Sequence, residues 1–503
     1  MKIIKNIEEF SSKNNHKIVM CFGHFNAIHP GHIQYLEYSK KLGNKLLIAV
    51  KEKEVFGEES NQNYFSLDAR VKGVSSLNIV DFVLPLKNLK LIDVIKNIKP
   101  EIFVLGKEHE KSSEHELKEA IKLLLKNNGK MIYFAGTHSI SQSEYLFDNI
   151  SNIEKDRIKT FLTSCKSQNI NLSDLINKIK NFSKSSLLVL GDTIVDQYID
   201  CNALGMSSEA PVIVVQEKES KNFLGGAAIV ASHVKSLGAE CKFISVTGND
   251  EVKNFVKKQL DDLKINSFII QDENRPTTFK TRYLVDKQKV FRVSRLNEET
   301  ISNNIEDLII STIEKEIDKV QGILISDFVY GVISPKILKQ VILISKKKNK
   351  LIFGDLQCSS QVGDIKKFYD FDLICPTEKE ARIALNSKEF GIEWVANKTI
   401  EKTRSKHLIM KLGAEGFITY ETKKDGFINK QYFPALNVNP LDVTGAGDSL
   451  IAALSVGLCS GMSLMESSAI GAMIASIAVQ NMGNLPVGSD QLVEYIRGIK
   501  LYE

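Results

Sequence analysis

Leu441-Asp442-Val443-Thr444-Gly445-Ala446-Gly447-Asp448-Ser449 runs directly into the apolar stretch Leu450-Ile451-Ala452-Ala453-Leu454. Two glycines in a tight loop leave backbone N–H groups unobstructed, and the residues after them read as the first turns of a helix. Such a loop is an anion cradle, because unpaired amides and the positive end of the helix dipole converge on one point. A carboxylate inside that cradle is electrostatically awkward unless the chemistry needs it. Asp448 is therefore the first candidate for a catalytic base. A glycine turn with an aspartate cap would account for Gly-Ala-Gly-Asp taken alone, and the rest of the chain weighs against it.

The chain has 503 residues, too many for one ordinary core, so two or three domains are expected. A hydrophobic share of 43% with 25% charged residues is that of a globular enzyme rather than a disordered chain. A formal charge of +5 is small for this length and gives no reason to expect a nucleic-acid partner. Seven scattered cysteines with no Cys-x-x-Cys pair point to reduced thiols in a cytoplasmic protein, without a disulfide framework or zinc ribbon. Glu8, Glu9, Ser11 and Ser12 interrupt any apolar leader, and no stretch approaches a membrane span.

Strand and helix alternate from the start. Residues 17–23 form a short apolar run ending in glycine, followed by a helix over 31–42 and a strand over 46–50. Further strands are expected at 80–86, 101–105 and 130–134, with helices at 67–77, 91–98 and 114–126 between them. The class is α/β, with a doubly wound parallel sheet of about 150 residues. Composition turns polar between Ile150 and Gln168, so a linker is expected over 151–170 and a second domain over 171–503. There, β-branched or alternating runs at 211–215, 280–285 and 289–294 suggest a small separate β sheet acting as a lid, with a hairpin turn at Asp286-Lys287-Gln288. After Asn297 the α/β alternation resumes.

Gly23-His24-Phe25-Asn26-Ala27-Ile28-His29-Pro30-Gly31-His32 joins the first strand to the first helix. Two histidines spaced His-x-x-His can both point at a phosphate near a helix N-terminus and donate to charge building on phosphorus. A metal site from His24, His29 and His32 is the competing chemistry, and no carboxylate or thiolate lies near in sequence to complete it. The segment resembles the HxGH signature of cytidylyltransferase-like nucleotidyltransferases, and most closely the bacterial heptose-1-phosphate adenylyltransferases. The resemblance implies a Rossmann-like domain over 1–150 in which His29 and His32 act at the phosphates. It assigns nucleotide contacts to Gly23, Arg70, Gly106, Lys107, Ser141 and Ser143. Asn26 stands where that family usually has aspartate, and Leu105 where it has lysine.

From Gly191 onward the chain resembles a ribokinase-like (PfkB) sugar kinase, closest to the heptose-7-phosphate kinase domain. The motifs carrying this are Gly191-Asp192-Thr193-Ile194-Val195-Asp196, Ser208-Glu209-Ala210-Pro211-Val212, Gly225-Gly226-Ala227-Ala228 and Asp442 to Asp448, in that order. The resemblance implies that Asp192 and Asp196, on a strand-end loop, bind sugar hydroxyls. The Gly225-Gly226 pair would let the backbone approach the sugar. Asp448 would be the base, and the amides of Gly445, Ala446 and Gly447 would hold the developing charge. Lys411 and Gly413 would line the nucleotide side. Mg²⁺ is implied with ATP, with Glu380 in its water shell. Arg282, Arg292 and Arg295 lie on or beside the lid strands and suit an anionic substrate such as a sugar phosphate, a solvated lid face being the alternative. Ile229 and Thr377 replace asparagines of that family.

The combined expectation is a bifunctional enzyme of nucleotide-sugar synthesis. ATP phosphorylates a sugar 7-phosphate at its anomeric hydroxyl, and ATP (or CTP) then gives a nucleotidyl group to the 1-phosphate with release of pyrophosphate. A homodimer is expected, since lid strands in such kinases meet across a dimer interface.

Overall fold

The computed structural model describes residues 3–4, 7, 17–25, 28, 30–52, 65–106, 109, 115–134, 150–210, 212–286, 288–357, 363–387, 389–423 and 425–502. Its contacts divide the chain into two units. One holds residues 1–151 with 388–394, the other 152–387 with 395–503.

The first unit is built on a five-stranded parallel sheet in the order β3-β2-β1-β4-β5. These strands are β1 Ile18–Gly23, β2 Lys45–Val50, β3 Phe82–Pro85, β4 Ile102–Gly106 and β5 Lys130–Phe134. Their side chains alternate between two apolar clusters. Met20, Leu47, Leu84 and Phe103 pack against the helices Leu91–Ile98 and His115–Lys126, while Val19, Ile48, Val83 and Val104 pack against Pro30–Lys41 and Leu67–Ser75. With both faces covered, the strands read as continuous apolar runs, which is why the sequence showed them clearly. The order reverses at β1 and β4, so the crevice beyond their carboxyl ends is where this architecture binds ligands.

The second unit carries two sheets. A nine-stranded sheet includes β9 Glu240–Thr247, β10 Asn266–Gln271, β15 Leu373–Ile374, β17 Gly416–Thr422 and β18 Ile428–Pro434. It has the order β10-β9-β6-β13-β14-β15-β16-β17-β18, parallel except at the β16-β17 and β17-β18 pairs. A four-stranded sheet has the order β12-β11-β7-β8, with β7 Thr193–Met206, β8 Ile213–Gly226, β11 Thr278–Val285 and β12 Gln288–Arg295. The large sheet contributes β6 Ser186–Gly191, β13 Gly322–Asp327, β14 Leu351–Leu356 and β16 His407–Lys411, whose carboxyl ends open on the helix Ala446–Cys459. That helix is apolar all round and buried from Asp448 to Gly457, as a central core helix must be.

Two expectations are corrected. The segment 151–170 is no linker: Ile150–Ser167 is an 18-residue helix whose Ile158, Phe161 and Cys165 join the core of the second unit. Its polar composition is the solvent face of an amphipathic helix, and burying Ile158 and Phe161 stabilises it by about 1.5–3 kcal/mol each. The lid is also far larger than its short runs suggested. β7 and β8 are 14 residues each and pair along their whole length, so Asp196 lies on a strand rather than a loop. Their outer halves are exposed on both faces and mix apolar residues such as Leu204, Met206 and Ile213 with polar ones, leaving the sequence no clean alternation to read. Val285 pairs with Gln288 across the expected hairpin turn, with Asp286 at φ 49°; Lys287 lies outside the described residues.

Candidate active sites

In the second unit, Gly445 caps the helix Ala446–Cys459 at φ 84°, a left-handed value. A Cβ there would fall 1.8 Å from Asn484 Oδ1, so both conformation and space require glycine. The amides of the helix's first turn have no intrahelical acceptor, and Ala446 N–H makes only a long 3.4 Å contact with the Val443 carbonyl. Asp448, almost wholly buried, stands just inside this cradle. Its carboxyl is pushed up to about 7, first by burial and then by the charges of Asp355 and Asp196, against the pull of Lys411 and a hydrogen bond from Asn484.

Beneath it lies a charged network of which sequence reading named Lys411 and missed Asp355 and Gln357. Gln357 Nε2 donates to Asp448 Oδ1 at 2.7 Å and to Asp355 Oδ2 at 2.8 Å, and Lys411 Nζ donates to Asp355 Oδ1 at 2.7 Å. Lys411 Nζ and Gln357 Nε2 lie 3.4 and 3.5 Å from where a Gly447 Cβ would be, so both reach the floor of the cradle. Asp355 and Gln357 sit at the end of β14, in a Gly-Asp-Leu-Gln run that carries no motif.

The lid sheet turns a cationic face to this site. Asp196, Lys280 and Arg282 alternate along β7 and β11, and Arg282 Nη2 is 2.8 Å from Asp196 Oδ1. Arg292 is the direct cross-strand partner of Arg282, a like-charge pairing that costs stability unless an anion lies between or above them. Period-two alternation sends Arg295 to the opposite face, where its guanidinium stacks 5.4 Å from the Phe279 ring, so it is not grouped with the other two. Lys280, with its ammonium 5.0 Å from the Tyr330 ring, and Lys289 complete the face; neither stood out in the sequence. Lys289 Nζ donates at 2.8 Å to both Asp442 Oδ1 and Thr444 Oγ1, tying β12 to the loop before the cradle.

The two aspartates at the lid root differ. Asp192 accepts from the backbone amides of Phe328 at 2.8 Å and Val332 at 3.2 Å, so both its oxygens are committed to the 328–332 loop. Asp196 instead faces the lid cations, and burial pushes its carboxyl upward against Arg282, Lys280 and Lys289. At the glycine pair, an added Cβ would fall 2.5 Å from Asp196 Oδ2 at Gly225 and 2.3 Å from the Asp192 carbonyl at Gly226. Their first reason is therefore the close approach of β8 to β7. Gly413 has φ 62° with open space around its Cβ position. Thr377 and Glu380 form a reciprocal cap: Glu380 Oε2 accepts from Thr377 N at 2.7 Å, and Thr377 Oγ1 accepts from Glu380 N at 3.2 Å. Ile229 is buried in the core.

In the first unit, Gly23 ends β1 and His24 and Phe25 follow it, with the Phe25 ring 5.1 Å from the His32 imidazole. Tyr35 Oη donates to the Val104 carbonyl at 2.6 Å, fixing the helix Pro30–Lys41 to β4, which ends at Gly106. Arg70 is buried and serves as a clasp: Nη1 donates to the carbonyls of His24 at 2.6 Å and Lys51 at 2.8 Å, and Nε to that of Phe65 at 3.0 Å. A cavity of about 430 Å³ opens at the carboxyl ends of β1 to β3, lined among others by Phe22, Lys51, Leu86 and Lys90. Asn26, His29, Lys107, Ser141 and Ser143 lie outside the described residues.

Residues 184–487 match the family model of pfkB carbohydrate kinases. That span is more than half of the chain. The chain belongs to the pfkB carbohydrate kinase family. Residues 20–143 match the cytidylyltransferase-like family model. Among curated proteins, the chain is 32% identical over 322 residues to the "Bifunctional protein HldE" of Helicobacter hepaticus, covering 62% of this chain and 64% of that protein. A protein of the same name from Campylobacter jejuni is 32% identical over 318 residues, with 62% and 65% covered. The matches thus span just under two thirds of the length of these relatives. Among solved structures, Escherichia coli phosphofructokinase-2 in complex with substrates and products superposes with a TM-score of 0.52 at 15% identity, covering 63% of this chain and 99% of the other. Arabidopsis thaliana ribokinase complexed with ribose and ATP gives 0.50 at 20%, with 62% and 99% covered. At these identities the structures establish the ribokinase-like fold of the second unit. As a pfkB family member, the chain carries its cradle where the nine-stranded sheet, the lid and the helix Ala446–Cys459 converge. No helix among the described residues is long and apolar enough to cross a membrane.

Proposed function

We propose that the chain is a bifunctional enzyme that phosphorylates a sugar phosphate, a heptose 7-phosphate, at its anomeric hydroxyl and then transfers a nucleotidyl group from ATP to the resulting 1-phosphate. The observation that carries the kinase reading is Asp448, a buried carboxylate with its proton affinity raised to about 7 inside an amide cradle, facing a lid of four cations. The acceptor hydroxyl oxygen attacks the γ-phosphorus and the bond to the β-bridging oxygen breaks. Its electron pair leaves with ADP, and the hydroxyl proton passes to Asp448. The amides of Gly445, Ala446 and Gly447, with Lys411, receive the transferred charge, and Gly413 lies on the nucleotide side. Asp196 orients the sugar, aided by Asp192, Gly225 and Gly226. Arg282 and Arg292, with Lys280, take the phosphate the sugar already carries.

Asp355, Asp448 and Glu380 outnumber Lys411 around the cradle, but among the described residues no three acidic, histidine or cysteine side chains are grouped to hold a metal by themselves, so a divalent cation would arrive on the nucleotide phosphates. Glu380 would hold Mg²⁺ through water, and the ion would neutralise phosphate charge. In the first unit, the phosphorylated acceptor is proposed at the crevice beyond the carboxyl ends of β1 and β4, since the 430 Å³ cavity at the ends of β1 to β3 balances Lys51 and Lys90 with Glu52 and Glu116. His29, His32, Gly23, Arg70, Gly106, Lys107, Ser141 and Ser143 are proposed on the nucleotide side. The protein is proposed to be cytoplasmic, on the scattered cysteines of its sequence and the absence from it of any Cys-x-x-Cys pair. It is also proposed to be a homodimer in which a second copy covers the exposed Val290, Phe291 and Val293 of β12.

Mass spectrometry of products, after incubation with candidate sugar phosphates plus ATP or CTP, tests the whole reading. A bisphosphate followed by a nucleotide sugar is the expected pair. Absence of both with every acceptor overturns it, and a nucleotide sugar formed only with CTP corrects the nucleotide. Replacing His29 and His32 by alanine should stop pyrophosphate release and spare the kinase.

A further inference from the structure

We infer that Gln357 is a positioning residue for the base, holding Asp448 in register with Asp355 by giving one amide hydrogen to each carboxylate. The inference rests on the kinase reading above and adds a residue to which no motif points. A primary amide has two N–H hydrogens on one nitrogen, and Gln357 Nε2 lies 2.7 Å from Asp448 Oδ1 and 2.8 Å from Asp355 Oδ2. With carboxylates on both sides, the amide must turn its nitrogen inward, since its oxygen there would meet only acceptors. Two buried carboxylates sharing one site would otherwise repel each other or rearrange.

The arrangement has two consequences. It fixes the orientation of the Asp448 carboxylate by engaging Oδ1, with Asn484 as its other side-chain donor. It also holds the Asp355 charge at a set distance, where it raises the basicity of Asp448 without drawing it out of line. Asp355 is itself held by Lys411 at 2.7 Å, so base, amide, acid and lysine form one chain beneath the cradle. The charged groups facing Asp448 are Asp355 from β14, Lys411 from β16 and Asp196 from β7, with Glu380 acting on Asp355 and Lys411. His233, on the helix Ala227–Ser236 packed against this one, accepts from the Val487 amide and is neutral, since burial lowers it to about 3.

The experiment is the pH dependence of kcat and of KM for ATP in the full chain, for the parent, Gln357→Met and Gln357→Lys. Methionine keeps the bulk and removes both donors, so kcat should fall about 30- to 100-fold with KM for ATP within about threefold. The acid limb should move to higher pH, because the charged base loses a donor. Lysine restores donors to both carboxylates and adds a positive charge, so it should retain more activity than methionine and move the limb to lower pH. A methionine variant with the parent's kcat and limb overturns the inference, as does an equal loss in both variants with the limb unmoved. Should methionine prevent folding, the lysine limb alone decides: unmoved, it overturns the proposal. A parent chain that transfers no phosphoryl group to any acceptor refutes the kinase reading instead.

Discussion

Asp442 and Asp448 stand six residues apart at the two ends of one loop, and both are almost fully buried. Yet one carboxyl is held down at about 2 and the other pushed up to about 7. Burial raises both, and what differs is the company. Asp442 receives Lys289 Nζ at 2.8 Å, Tyr198 Oη at 2.6 Å and the Thr444 amide at 3.0 Å, which together outweigh desolvation. Asp448 has Asp355 and Asp196 as neighbours against the single charge of Lys411, and its side-chain donors are the neutral amides of Gln357 and Asn484. The pair shows that depth alone does not make a base. A carboxylate with strong donors becomes an anchor, and one among other carboxylates becomes a proton acceptor.

The largest effect that can break this contrast is on turnover. Asp448→Asn should lower kinase kcat by at least about 10²-fold while leaving nucleotidyl transfer at the parent rate, measured as ADP and pyrophosphate release in separate assays. Asp442→Asn should act mainly on stability, costing about 1.5–3 kcal/mol in denaturant unfolding of the second unit through its lost charge-assisted bonds.

The pH dependence of stability sharpens the contrast, because the two signs are opposite. Asp442, depressed from 3.8 to about 2, contributes stability that is present above 3.8 and lost as pH falls through 2. Asp448, raised from 3.8 to about 7, contributes stability that is present below 3.8 and lost as pH rises through 7. Asp448→Asn should therefore stabilise the protein at pH 8, by roughly 2 kcal/mol, and much less at pH 4. Equal gains at both pH values would remove the buried titration from the account. Activity should follow the same group, with kcat/KM for phosphoryl transfer rising about tenfold per pH unit below 7 and levelling above it.

The smallest effect belongs to the lid. Arg292→Met should raise KM for the phosphorylated sugar about five- to tenfold with little change in kcat, and an unphosphorylated sugar should show no difference between parent and variant. Arg295→Met, on the far face, should leave KM unchanged.

Much of the fold was legible in the chain because parallel strands buried on both faces are continuous apolar runs, and helices such as Leu91–Ile98 keep a clean apolar stripe. The cradle was legible too, since its glycines and Asp448 are adjacent in sequence and chemically unusual there. The lid resisted for the opposite reason: a long hairpin exposed on both faces, with apolar and polar residues mixed, has no clean period to detect. The helix Ile150–Ser167 resisted because a polar helix covering a core reads like a linker until the core it covers is known.

The sequence by itself determined an α/β class with buried parallel strands and a carboxylate set in an amide loop, because each of these is encoded within a few consecutive residues. The tertiary structure alone decided what that carboxylate became. Asp355, Gln357, Lys411 and Asp196 come from three other strands or strand ends, up to 252 positions from Asp448 in the numbering, and Lys289 and Tyr198 reach Asp442 from the lid. Proton affinity depends on charges and donors within a few ångströms, and only folding determines which residues those are.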